Sequence, residues 1–130
     1  MKTYSQFIAE AERKSHDEVM QTISRNYNRN NPGSNFNVQY RPATQDGKQK
    51  EHVYVGLIDV NKKERRKRKG SRFVRGITKY ADKHNLPVSV KPVAEPKYKK
   101  KLDTWYRGHG FEDNKTKDIA PHPMIRNPKP

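Results

Sequence analysis

The chain has 130 residues with 29 Lys and Arg against 14 Asp and Glu, a formal charge of +15, and at roughly 150 residues per domain this is one domain. Leu, Ile, Val and Phe together supply only 22 residues, a share below the ~20% at which strongly charged chains stay disordered; a large core is excluded, and the arrangement of the apolar residues must make the fold. Cysteine is absent, which excludes disulfides, thiolate metal sites and a cysteine nucleophile.

Thr3-Tyr4-Ser5-Gln6 and Ser15-His16-Asp17-Glu18 both fit a capping box at a helix start. Phe7, Ile8 and Ala11 share a helical face after the first, and Val19, Met20, Ile23 and Tyr27 after the second. The expectation is two short helices, or one bent helix, ending before the turn signal Asn30-Asn31-Pro32-Gly33. Phe36, Val38 and Tyr40 alternate with polar residues and predict a strand with one buried face. After the Asp46-Gly47 turn, residues 52–60 are apolar on both faces, as in a strand inside a sheet. Phe73, Val74, Ile77, Tyr80 and Ala81 predict a helix over 71–84 with Asn85 as its cap. Residues 86–90 form a short strand between prolines, and Pro96 opens a helix that presents Tyr98, Leu102 and Trp105 and stops near Gly108 and Gly110. A short strand begins at Phe111, and residues 123–126 form a last edge segment.

This order predicts a mixed α/β (α+β) domain with helices on a mixed sheet. Residues 52–90 form one strand–loop–helix–strand unit, read as a right-handed crossover between parallel strands. The single domain spans 1–127, with a helical part at 1–33 and the sheet with its two later helices at 34–127; residues 128–130 are a tail. No run approaches the ~18 apolar residues of a membrane span, and the first residues lack the apolar stretch of a secretory signal. A cytoplasmic protein with polyanionic partners and no membrane is expected.

Residues 61–72 hold eight basic residues and one acid, a net of +7. A charge run alone describes a solvated face. This one lies between a buried strand and a helix and ends in Gly70-Ser71 at the helix start, where free amides and the helix dipole favour an anion. A phosphate-bearing ligand is one reading, and a nuclear-localisation or nucleic-acid patch the other. A second patch, Lys91, Lys97, Lys99, Lys100, Lys101 and Arg107 against Glu95 and Asp103, nets +4. The surplus charge points to an acidic protein or a nucleic acid. Five histidines occur singly, without metal-ligand spacing, so no metal is expected.

The segment Arg65-Arg66-Lys67-Arg68-Lys69-Gly70 resembles the pyrophosphate loop of the GNAT superfamily of acetyl-CoA-dependent N-acetyltransferases, whose pattern is Gln/Arg-x-x-Gly-x-Gly/Ala. Arg65 and Gly70 match it, and Arg68 stands where the pattern has its first glycine. Residues 102–111, with Tyr106 before Gly110-Phe111, are similar to the family's late helix, and residues 124–128 to its closing strand. The resemblance covers about residues 52–128. It implies a GNAT-like acyltransferase fold with splayed central strands, acetyl-CoA as co-substrate, and acetyl transfer to a primary amine on a small molecule or protein.

By the resemblance, the strand ending at Val60 splays from residues 86–90, and backbone near Ile58 and Val60 pairs with the pantetheine arm. The Ile58 amide polarises the thioester carbonyl. Backbone from Arg66 to Ser71 holds the pyrophosphate, with Arg65, Arg66, Lys67, Arg68 and Lys69 adding charge around Gly70 and Ser71. Tyr106 matches the general acid that protonates the leaving thiolate, or else is an aromatic anchor of its helix. His52 and Tyr54 are the base candidates; strand alternation places them on one face and Asp59 on the other. The rival is a GNAT-like basic protein without catalysis, acting as a structural virion component or a nucleic-acid binder. Residues 1–8 resemble the beginnings of many tailed-phage proteins, and if the protein is phage-encoded the resemblance implies a host cytoplasm or virion.

Overall fold

The structure is a computed structural model, described for residues 4–60, 68–93 and 96–130, with side chains of the first helix from Ser15 onward. Helix α1 (Tyr4–Asn30) is followed by β1 (Asn35–Arg41), β2 (His52–Asp59), α2 (Lys69–Lys83), β3 (Val88–Val90), α3 (Pro96–Gly108), β4 (Glu112–Asp113) and β5 (Met124–Arg126). The described residues form a mixed α/β fold, with an open sheet in the order β1-β2-β3-β5-β4.

Helix α1 runs unbroken from Tyr4 to Asn30, one helix instead of two short ones, and the second capping box lies inside it. Tertiary contacts carry the helix through that point, as they do for most helices in proteins. His16 meets the Tyr80 hydroxyl at 2.6 Å, its ring packs 5.3 Å from Tyr40, and Met20 is fully buried. Further along, Tyr27, Phe36 and Phe73 bring α1, β1 and α2 together with ring centroids 4.9–5.4 Å apart.

The chain reverses at Asn31, whose Nδ2 donates to the Tyr27 carbonyl (2.8 Å), and Gly33 supplies a φ of 82°. β1 then returns along α1, with Phe36, Val38 and Tyr40 buried and Asn35, Gln39 and Arg41 exposed. Its outer edge is satisfied by α1 side chains. Asn28 Nδ2 donates to the Phe36 carbonyl (3.0 Å) while the Phe36 amide donates to Asn28 Oδ1 (2.7 Å). Likewise the Val38 amide donates to Ser24 Oγ at 3.0 Å. These bonds close an edge that is otherwise a template for aggregation.

β2 pairs antiparallel with β1 and parallel with β3, so α2 is the crossover between two parallel strands, as the sequence predicted. Both later helices end in Schellman stops. For α2, Leu86 N–H donates to the Ala81 carbonyl (2.8 Å) and Asn85, at φ 57°, donates to that of Asp82 (3.2 Å). For α3, Phe111 N–H donates to Tyr106 (3.2 Å) and Gly110, at φ 93°, to Arg107 (3.0 Å).

The last strand corrects an expectation. β5 is not an edge: it lies between β3 and β4, antiparallel to both, and all three of its residues are buried. The anchor is Arg126, which donates two hydrogen bonds to the Asp82 carboxylate (2.7 and 2.9 Å) and one to the His109 carbonyl (3.1 Å). Asp82 also accepts from the Lys129 amide (2.9 Å). A charged group on an apolar strand is held inside because its donors are met by a bidentate partner. The return loop is pinned by buried Asn114, whose Nδ2 donates to the carbonyls of Ala120 and His122, each at 2.8 Å.

Asp82→Asn should cost about 2 kcal/mol, the range for hydrogen bonds to a charged group, read as a lower denaturant midpoint. Its hydrogen bonds to Arg126 hold the Asp82 carboxyl below its usual range. The stability it gives is therefore complete above about pH 4, the unfolded value, and is lost as pH falls through the depressed folded value. The acid limb of the stability profile should shrink in the variant.

Candidate functional site

β3 is short for a sequence reason. Pro87 precedes it and Pro92 follows soon after, and a proline has no N–H to give a ladder. Parallel pairing therefore covers only Val53↔Val88, Tyr54↔Ser89 and Val55↔Val90, while β2 runs on to Asp59. Where the pairing stops, β2 carries a bulge: Asn37 faces Leu57 and Val38 faces Val55, which leaves Gly56 as the extra residue. Bulges bend and twist a strand and are common beside active sites.

The bulge has two consequences. It shifts the alternation, so that Asp59 (opposite Asn35) lies on the same face as Tyr54 (opposite Gln39) and His52 (opposite Arg41). Simple period-two counting had put Asp59 on the other face, and the extra residue is why that count fails. It also fixes where the backbone points. Phe36 spends its amide and carbonyl on Asn28, so Phe36↔Ile58 is a non-hydrogen-bonded pair. The Ile58 amide and carbonyl are thus directed away from β1, toward the side on which β3 has ended.

A cleft of about 640 Å³ opens there. Its lining includes Ile58, Asp59 and Val60 from the end of β2, Arg68, Gly70 and Ser71 from the start of α2, and Tyr98, Lys101, Leu102, Trp105 and Tyr106 from α3. Trp105 bridges the two helices, its Nε1 donating to Ser71 Oγ at 3.3 Å. Gly70 lies at this junction, where an added Cβ would make ordinary contacts with Ile58 at 3.5 Å and Trp105 at 3.6 Å.

The start of α2 carries basic residues: among the described residues the Arg68 N-cap makes no side-chain cap bond and the first turn has no acid, and the helix dipole there favours an anion. Arg68, the N-cap, has φ 58° and ψ 28°, a left-handed conformation that costs an L-residue about 1–2 kcal/mol and glycine little. Tyr106, on the opposite wall, is only 4% exposed. Burial first, and the neighbouring Tyr54 phenol second, push its pKa up to about 12. It is protonated throughout the physiological range and acts there only as a hydroxyl donor or acceptor.

Ile58, Val60, Arg68, Gly70, Ser71 and Tyr106 are therefore brought to one cleft, with Lys69 beside it at the start of α2. Arg65, Arg66 and Lys67 lie outside the described residues. His52 and Tyr54 do not line the cleft. His52 is fully buried, its Nδ1–H donating to the Lys50 carbonyl (2.8 Å) while Nε2 finds no partner among the described residues. That bond fixes the tautomer, and burial holds the pKa below its usual value. Tyr54 stacks on His122 at 4.1 Å, and His122 is in turn hydrogen-bonded to buried Ser89 (2.9 Å). Among the described residues no three acidic or histidine side chains gather as a metal site, and no helix is long and apolar enough to cross a membrane.

Tyr98, Lys101, Leu102, Trp105 and Asp59 are lining residues that sequence reasoning did not assign. The first four looked like a core stripe or a charge patch at helical spacing, and Asp59 was displaced by the bulge. No protein-family model, curated protein or solved structure matches the chain.

Arg68→Gly should stabilise the protein by about 0.5 kcal/mol, the relieved strain less the added freedom of the unfolded chain. Arg68→Ala should give no such gain. Paired denaturant melts distinguish the two, and equal loss in both variants would show that the arginine side chain, rather than backbone strain, dominates at this position.

Proposed function

We propose that the protein is a short GNAT-like acyltransferase that binds acetyl-CoA in this cleft and transfers the acetyl group to a primary amine. The observation that carries the reading is that the end of β2, beyond its pairing with β3, faces the start of α2 across one cleft. An extended, hydrogen-bonding arm with a diphosphate at one end is complementary to such a site: the arm takes the place that a longer β3 would fill, and the diphosphate meets the N-terminal end of α2. Arg68 supports the same reading. It occupies the place of the pattern's first glycine and keeps a glycine-type backbone angle.

In this reading the amine nitrogen attacks the thioester carbonyl carbon, a C–N bond forms and the C–S bond breaks. The Ile58 amide donates to the carbonyl oxygen as it becomes negative, the contribution of an oxyanion hole. The sulfur leaves as a thiolate. An alkyl thiol titrates near 8.5, well below Tyr106 at about 12, so full proton transfer from the phenol is uphill. Tyr106 instead stabilises the leaving thiolate by a donated hydrogen bond, and the proton lost by the amine ultimately balances the thiolate. Asp59, the carboxylate among the described lining residues, attracts the ammonium form of the acceptor to the rim, where it gives one proton to solvent before the neutral amine attacks.

The second reading, a basic GNAT-like protein without catalysis that serves a virion or a nucleic acid, draws on a specific observation: the candidate base His52 is buried away from the cleft. Titration calorimetry with acetyl-CoA at moderate salt, followed by assay with a panel of amines, separates the two. The transferase reading predicts binding at one site, and in Tyr106→Phe a turnover lowered by about tenfold or more with little change in affinity, since the lost bond is made to the departing sulfur. No heat of binding would sink the reading. Binding without turnover on any amine would favour the second.

A further inference from the structure

The first half of α3 faces solvent. Lys97, Lys99, Lys100 and Lys101 are exposed, and so is Tyr98, at 50%. That exposure departs from the sequence pattern, in which Tyr98 continues the apolar side of Leu102 and Trp105. An aromatic ring left half in water among lysines contributes little to the core. The Lys97 ammonium sits 4.9 Å from its centroid, a cation–π contact that orients the ring.

Beside this ring runs a groove of about 430 Å³ lined by Lys97, Tyr98, Lys100, Lys101 and Thr104. Its described lining residues include no carboxylate. Lysines at i, i+3 and i+4 lie on one helix face, so Lys97, Lys100 and Lys101 line the groove together with the Tyr98 ring. Tyr98 and Lys101 also line the cleft, so groove and cleft meet at these two side chains.

We propose that this groove binds single-stranded nucleic acid, with a base stacked on Tyr98 and the phosphates held by Lys97, Lys100 and Lys101. Stacking on an exposed aromatic within a cationic groove is how unpaired strands are held without sequence readout. A duplex satisfies the lysines but has no free base face for Tyr98. An acidic peptide likewise satisfies the lysines and leaves the ring without a partner. The proposal stands on α3 alone and does not require acetyl transfer.

The test is fluorescence anisotropy on the full chain with a labelled oligothymidine, a duplex of the same length, and polyglutamate of matched charge, over a range of salt. Oligothymidine should bind most tightly. Tyr98→Ala should weaken it by about fivefold or more, and Lys97→Gln with Lys100→Gln should reduce the slope of log affinity against log salt by about 1.4. These side chains are exposed, and circular dichroism checks that the variants stay folded. Equal or tighter binding of the duplex or polyglutamate, or indifference to Tyr98→Ala, overturns the proposal. So does displacement of the oligonucleotide by stoichiometric coenzyme A, which would assign the groove to that molecule's own nucleotide.

Discussion

The candidate site depends on a mismatch in strand length. β2 has eight residues and its parallel partner β3 three, because Pro87 and Pro92 bracket the shorter strand. A longer β3 would take up the β2 backbone groups with its own ladder, and the sheet would be continuous. As it is, the pairing ends at Val55↔Val90 and the Gly56 bulge follows at once. Gly56 suits that place, since a Cβ there would come within 2.9 Å of Asn37 Oδ1. Beyond that point β3 offers the Ile58 backbone no ladder partner, and a backbone polar group is costly to bury unmet.

Segments with strong local periodicity were legible in the sequence. The alternation of Phe36, Val38 and Tyr40 gave β1, the spacing from Phe73 to Ala81 gave α2, and the strand–helix–strand order gave a parallel β2–β3 pair. What escaped was non-local. The continuity of α1 through Ser15 rests on His16 meeting Tyr80 and Tyr40, residues far along the chain. The interior place of β5 rests on Arg126 finding Asp82, 44 residues earlier. A three-residue strand bearing an arginine looks like an edge until its partner is known. The bulge left no signal except a glycine inside an apolar strand, yet it decided which face Asp59 shares.

Two features that carry the family resemblance have local physical explanations of their own. The spacing of Tyr106 to Gly110-Phe111 is the spacing of a Schellman stop: Gly110 takes the left-handed angle, and Phe111 packs on Tyr106 with centroids 5.4 Å apart. Any helix that ends this way can show it, so the spacing alone identifies a helix terminus. What goes further is placement, because the same Tyr106 lines the cleft. Arg68 works in the opposite sense. As a letter it departs from the loop pattern, yet its backbone angle is the one a glycine supplies. In the first case a matching pattern reports only a helix terminus; in the second a non-glycine residue holds a backbone angle that glycine adopts at little cost.

The charge distribution links these points. Arg68 and Lys69 begin α2, and Lys97 to Lys101 begin α3, so two elements present like charge around the cleft. Their mutual repulsion favours an open mouth, and the Trp105–Ser71 bond is a specific contact that opposes it. A chain with so few large apolar residues has little hydrophobic stabilisation to set against that repulsion. An anion seated between the helices would reverse the sign of the interaction and add its binding free energy to folding. The same sparse core and surplus of cations that make the composition look marginal are therefore reconciled if the folded chain is built to hold polyanions, with the β2 gap giving one a shape and the Tyr98 groove giving another a face.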